Sequence, residues 1–166
     1  MTVCIAAICD EGKYIVVAAD RMFTSPLNIE FETVEQKIER INDSCVALAA
    51  GATGSATEVL DNARENISGT GHNEVPKIAE NVKVAYSTIR NVKAEETHIL
   101  PMFGQDFAIQ RANGMTLPVY LQTQQGMYNN AIALVSQFNL NLEILVAGID
   151  EAGAHLFHVG HPGTLN

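Results

Sequence analysis

Residues 1–20 read MTVCIAAICDEGKYIVVAAD. From Thr2 to Cys9, Val3, Ile5, Ala7 and Cys9 form one alternating set, and Cys4, Ala6 and Ile8 form the other. Both sets are apolar, so this strand is expected to be covered on both faces. Asp10-Glu11-Gly12 is turn chemistry, and Tyr14 to Ala19 repeats the pattern. The chain is therefore predicted to open on a buried hairpin. A sheet with two apolar faces belongs between a second sheet and a layer of helices.

Further along, Met22 to Glu35 is irregular and more polar, Lys37 to Ile41 reads as a short strand, and Cys45 to Ala50 is a third apolar strand. That strand runs into Gly51-Ala52-Thr53-Gly54-Ser55. Ser55-Ala56-Thr57-Glu58 has capping-box spacing and predicts a helix start, followed by an apolar stripe at Val59, Leu60, Ala63 and Ile67. Gly69 to Asn73 ends it. Pro76 suits the first turn of a second helix carrying Ile78, Ala79, Val82, Ala85, Tyr86 and Ile89 on one face. Leu121 to Leu134 predicts a third helix. Leu142 to Ile149 and Ala154 to Val159 are strands around an Asp-Glu-Ala-Gly turn. Strands, then grouped helices, then strands indicate an α+β layered domain. Residues 1–166 are read as a single domain, with 93–140 a helical elaboration of it.

The hydrophobic share of 47% and charged share of 17% suit a globular chain. A net charge of −9 and the lack of a basic run argue against nucleic acid or anionic membrane as a partner. No apolar run approaches the ~20 residues of a membrane span. No positive segment precedes the first apolar stretch, so it does not read as a secretory signal, and a cytoplasmic location is expected. Cys4, Cys9 and Cys45 make an odd count without CxxC spacing, which predicts buried thiols in a reducing compartment. His155 and His158 would point to opposite faces of a strand, and His155 and His161 would lie roughly 20 Å apart at ~3.3 Å per residue. No metal site is expected.

Four residues carry the chemical interest. Removal of Met1 would leave Thr2 with its hydroxyl and a free α-amine on one residue. An α-amine of pKa about 7.7–8.0 can take the hydroxyl proton, so nucleophile and base come as a unit. A retained methionine would cap that amine. The Lys37 ammonium, if it reached this point, would lower the pKa of the amine and favour the alkoxide. Asp20, at the end of the second strand, could hold Lys37 in place. Gly51, between a buried strand and a helix start, could turn its N–H toward an oxyanion. Taken singly, each has an ordinary reading: a second residue, a solvated lysine in QKIERI, a charged strand end and a tight turn.

Their order resembles the N-terminal nucleophile (Ntn) hydrolases, and within them the proteasome β-type subunits and proteasome-like proteins of bacteria and archaea. The resemblance rests on Thr2 opening a strand, on VVAADR, QKI and CVALAAGATGSATE, and on LVAGIDEAGAHLFHVGHPGT near the end. It covers about residues 2–90 and 142–164. It implies a four-layer α-β-β-α sandwich with two antiparallel sheets. It also implies Thr2 as nucleophile, Asp20 and Lys37 as its electrostatic support, and the Gly51 N–H as oxyanion donor. Phe23 and Ala49 would lie near the substrate pocket. By this resemblance the reaction is hydrolysis of a peptide or small amide through an ester on Thr2, without cofactor or metal, in a homo-oligomer.

The resemblance further implies a Gly-Ser-Gly stretch and a later Asp/Ser pair after the final hairpin. The sequence stops at Asn166 before any such stretch, so the C-terminal part of the domain is expected to be missing. The alternative expectation is an inactive structural or assembly subunit. A third reading, weaker than either, is amide hydrolysis on a small molecule.

Overall fold

The opening residues form a hairpin, in which β1 (Cys4–Cys9) pairs antiparallel with β2 (Tyr14–Ala19). Its turn holds Asp10, Glu11 and Gly12 at positive φ, which explains the glycine and the short acidic side chain there. The computed structural model describes residues 3–24, 30–32, 37–71, 73–103 and 125–166.

The region predicted as irregular contains a second small hairpin, β3 (Met22–Thr24) with β4 (Glu30–Glu32). Three-residue strands carrying charge give no usable period. The main sheet is antiparallel and five-stranded, in the order β5 (Ile38–Arg40), β6 (Cys45–Gly51), β7 (Leu142–Asp150), β8 (Gly153–Gly160) and β9 (Thr164–Leu165). The described residues thus form an α+β fold built on antiparallel sheets.

Two helices follow β6. The first, α1 (Thr53–Thr70), starts two residues before the expected capping box, and Ala52 is its N-cap without a side-chain bond. A tertiary contact replaces the cap, because the Asn141 carbonyl accepts the Ala52 N–H at 2.9 Å. Gly71, at φ 66, closes the helix in the left-handed conformation. Asp150, at the end of β7, accepts the Val75 N–H at 2.9 Å and so caps α2 (Val75–Ala94) from across the fold.

Registry defines the two faces of the main sheet, because directly paired residues point the same way. Cys45, Ala47, Ile144, Val146 and Val159 share one face and are buried. Val59, Leu60, Ala63, Val75, Ile78, Val82 and Tyr86 of the two helices are buried as well. Each large aliphatic or aromatic side chain sequestered this way contributes about 1.5–3 kcal/mol. Gly148 lets α2 approach, since a Cβ there would meet the Ser44 carbonyl at 2.6 Å and the Val75 side chain at 2.9 Å.

The other face of the main sheet meets the hairpin. β1 and β2 pack on β6, β7 and β8. Ile15 and Val17 border a cleft of about 460 Å³ with Val46, Ala147 and Ile149. Helices, main sheet and hairpin thus stack in three layers among the described residues. The outer side of the hairpin does not match the expectation of cover on both faces: Ile5 is 56% exposed, Val16 58% and Tyr14 62%. Apolar alternation makes a strand, but it does not determine what lies against each face.

The chain divides into two compact units, 1–87 with 140–166, and 88–139. In the second unit the end of α2 continues through a π-turn (Glu95–Ile99) into α3 (Leu100–Phe103), and α4 (Gln125–Gln137) follows. Arg90 ties this unit together by donating to the carbonyls of Val135, Ser136 and Phe138. Leu121 to Gln124 of the expected third helix lie outside the described residues.

Candidate active site

Lys37 lies just before β5, and its side chain is only 4% exposed. It is therefore not the solvated lysine that QKIERI suggests. Its ammonium is 2.5 Å from the Asp20 carboxylate and also donates to the Met22 carbonyl. Asp20 follows β2, with its side chain 27% exposed. The hydrogen bond from Lys37 holds the Asp20 carboxyl below the usual carboxylate range. Partial burial opposes this, and a backbone hydrogen bond from Val3 lowers it further.

The backbone secures the pair. The Asp20 N–H donates to the Val3 carbonyl at 3.1 Å, so Asp20 is fixed beside the residue that follows Thr2 in sequence. The Ala49 N–H donates to the Lys37 carbonyl at 3.0 Å, which ties Lys37 to β6. The Cys4 thiol reaches the Ala49 carbonyl at 3.6 Å. Burial raises the pKa of Cys4 above the ordinary thiol value, the Lys37 charge opposes this, and Asp20 adds to it. A protonated thiol held this way is a packing group, not a nucleophile.

Gly51 ends β6, two positions beyond Ala49. It has φ +116, and a Cβ on it would fall 1.9 Å from the Asn141 carbonyl oxygen. Only glycine fits, and the backbone contact alone accounts for that, whatever its N–H does.

No protein-family model matches the chain, and comparison with curated proteins finds no match.

Asp20, Lys37 and the backbone of Ala49 are therefore brought together. Gly51 lies further along the same strand. Phe23 is on β3, paired with Phe31 and adjacent to the Met22 carbonyl that receives Lys37, while its side chain lies outside the described residues. Thr2 also lies outside them. Sequence reasoning missed the Val3, Met22 and Cys4 contributions. The first two act through backbone atoms, which leave no mark on residue type.

Of His155, His158 and His161, two have local carboxylate partners. His155 Nε2 is 3.0 Å from Asp150, and His158 Nε2 is 2.6 Å from Glu143. Of the three cysteines, expected to be buried, only Cys45 is; Cys4 is intermediate and Cys9 exposed. Among the described residues no helix is long and apolar enough to cross a membrane.

Proposed function

We propose that this chain is an Ntn-type threonine hydrolase, related to proteasome β-type subunits, that cleaves peptide or small amide bonds through Thr2. One observation carries this reading: a Lys37 ammonium almost fully out of water, paired with an Asp20 that is bonded through its backbone to Val3, next in sequence to Thr2. An ammonium sequestered in that position gains little for solubility. It suits a site where an amine must stay neutral and a hydroxyl must lose its proton.

In this reading the α-amine of Thr2, freed by loss of Met1, takes the hydroxyl proton as the oxygen attacks the substrate carbonyl. The Gly51 N–H stabilises the oxyanion. The leaving amine receives the proton, and an ester remains on Thr2. Water, deprotonated by the same amine, then releases the acid and restores the hydroxyl. Phe23 and Ala49 border the substrate, and the four-layer Ntn sandwich is the architecture that goes with this chemistry.

The test combines mass spectrometry of the N-terminus with a peptide epoxyketone. Protein lacking Met1 should form a covalent adduct on Thr2. Intact unmodified Thr2 in protein shown to lack Met1 would refute the proposal.

The exposed outer face of β1 and β2 supports a second reading, a catalytically inactive structural or assembly subunit. That reading requires no adduct, together with self-association or a stable partner.

A further inference from the structure

Four contacts around Cys4 form a closed circuit. The Val3 carbonyl accepts the Asp20 N–H at 3.1 Å, and the Asp20 carboxylate holds the Lys37 ammonium at 2.5 Å. The Lys37 carbonyl accepts the Ala49 N–H at 3.0 Å. The Ala49 carbonyl meets the Cys4 thiol at 3.6 Å, and Cys4 is joined through its peptide bond to Val3. We propose that Cys4 is a positioning residue, whose thiol completes this circuit and sets the strand that follows Thr2 against the strand that ends in Gly51. The inference rests on the hydrolase reading above and adds to it a residue beyond Thr2, Asp20, Lys37 and Gly51.

The topology gives the thiol its importance. β1 belongs to the two-stranded sheet and β6 to the five-stranded one, so no ladder pairs the two strands. Apolar packing between sheets is non-directional and does not fix their angle. Two links of the circuit cross from one sheet to the other: the Asp20–Lys37 pair and the Cys4–Ala49 contact. A single link leaves the layers free to swing about it, whereas two hold them. Cys4 pairs in register with Ala19, the residue before Asp20, so both links leave the same end of the hairpin.

The chemistry of the side chain suits the task. A thiol is a small, weak donor, so it adds little to stability. Its raised pKa keeps it protonated, and thus a donor, while a thiolate would compete with Asp20 for Lys37. Acyl transfer is far more sensitive than folding to small displacements of the reacting groups. Loss of the thiol should therefore cost more in rate than in thermal midpoint.

Valine and threonine have nearly the same shape, so Cys4→Val and Cys4→Thr differ chiefly in whether the side chain can donate to Ala49. Cys4→Ala and Cys4→Ser repeat the comparison with smaller side chains should the branched pair misfold. Protein lacking Met1 is used throughout. In amide hydrogen exchange, Cys4→Val should speed exchange at Ala49 and Asp20 several-fold. It should leave Ile149 unchanged, whose N–H donates to Ser44 at the far end of the main sheet. In labelling by a peptide epoxyketone, Cys4→Val should lower the limiting rate about ten-fold, with the half-saturating concentration unchanged. Cys4→Thr should recover most of that loss. Equal acceleration at all three amides, or equal behaviour of the valine and threonine variants, marks a side chain that only packs and overturns the proposal. Labelling of Cys4→Val at the parent rate overturns it too, and leaves the hydrolase reading intact. A parent protein that does not label overturns the hydrolase reading itself, and the positioning role falls with it.

Discussion

The Lys37 ammonium lies 2.5 Å from Asp20 with almost no access to water, while the carboxylate keeps partial access. The two partners should therefore tolerate loss unequally. Asp20→Ala removes the counter-charge of a buried cation, whereas Lys37→Met leaves an anion that can still be hydrated. Asp20→Ala is expected to lower the thermal midpoint more than Lys37→Met, and the double variant should fall by less than the two losses combined. If Thr2 is the nucleophile, either single change should slow epoxyketone labelling by about 100-fold. Lys37→Arg should not restore it, because a planar fork does not reproduce a point charge.

Acid stability follows from the same carboxylate and from Asp150. The Asp150 carboxyl is held below its ordinary value first by the Val75 N–H, with burial opposing and the Ala152 N–H and His155 adding to it. A carboxyl whose folded pKa is depressed stabilises the fold fully above its unfolded value of about 3.9, and that stability disappears as pH falls through the folded pKa. Thermal midpoints measured downward from neutral pH should fall from about pH 4. Asp20→Asn and Asp150→Asn should each flatten that decline.

Gly51 and Gly69 should respond to alanine in opposite directions. At Gly51 the new methyl meets the Asn141 carbonyl and the backbone is at φ +116, so Gly51→Ala should cost about 3 kcal/mol or more in urea unfolding. Gly69 is in α1 with nothing within 4 Å of the added carbon. Gly69→Ala should stabilise by about 0.5 kcal/mol.

The cysteines should separate by reactivity. Burial pushes Cys45 up to about 12, while Cys9 is exposed. In dilute native protein at mildly alkaline pH, iodoacetamide should label Cys9 and spare Cys45. Unfolding should expose Cys45, and peptide mapping reads both.

Much of this architecture was legible from local pattern. The strands at Tyr14, Cys45, Leu142 and Ala154 declare themselves because each is a short, largely apolar run bounded by turn residues, and α2 because its stripe repeats at helical spacing. Less legible were features decided by distant partners. The start of α1 depends on a carbonyl at Asn141, not on Ser55. The depth of Lys37 depends on Asp20 and Met22, far from QKIERI in sequence. The β3–β4 hairpin was hidden by its brevity. The bare side of β1 and β2 was hidden because apolar residues look alike whether covered or open.

Asn141 holds a left-handed backbone at φ 52, and its carbonyl both receives the Ala52 N–H and abuts Gly51. The residues between 88 and 139 leave the first unit and return to it at this point. The geometry of that re-entry is fixed by these contacts. A graft that shifted the chain by one residue at Asn141 would displace the end of β6 and the first turn of α1 together. A replacement segment should therefore be joined upstream of Asn139, leaving Leu140, Asn141 and Leu142 untouched.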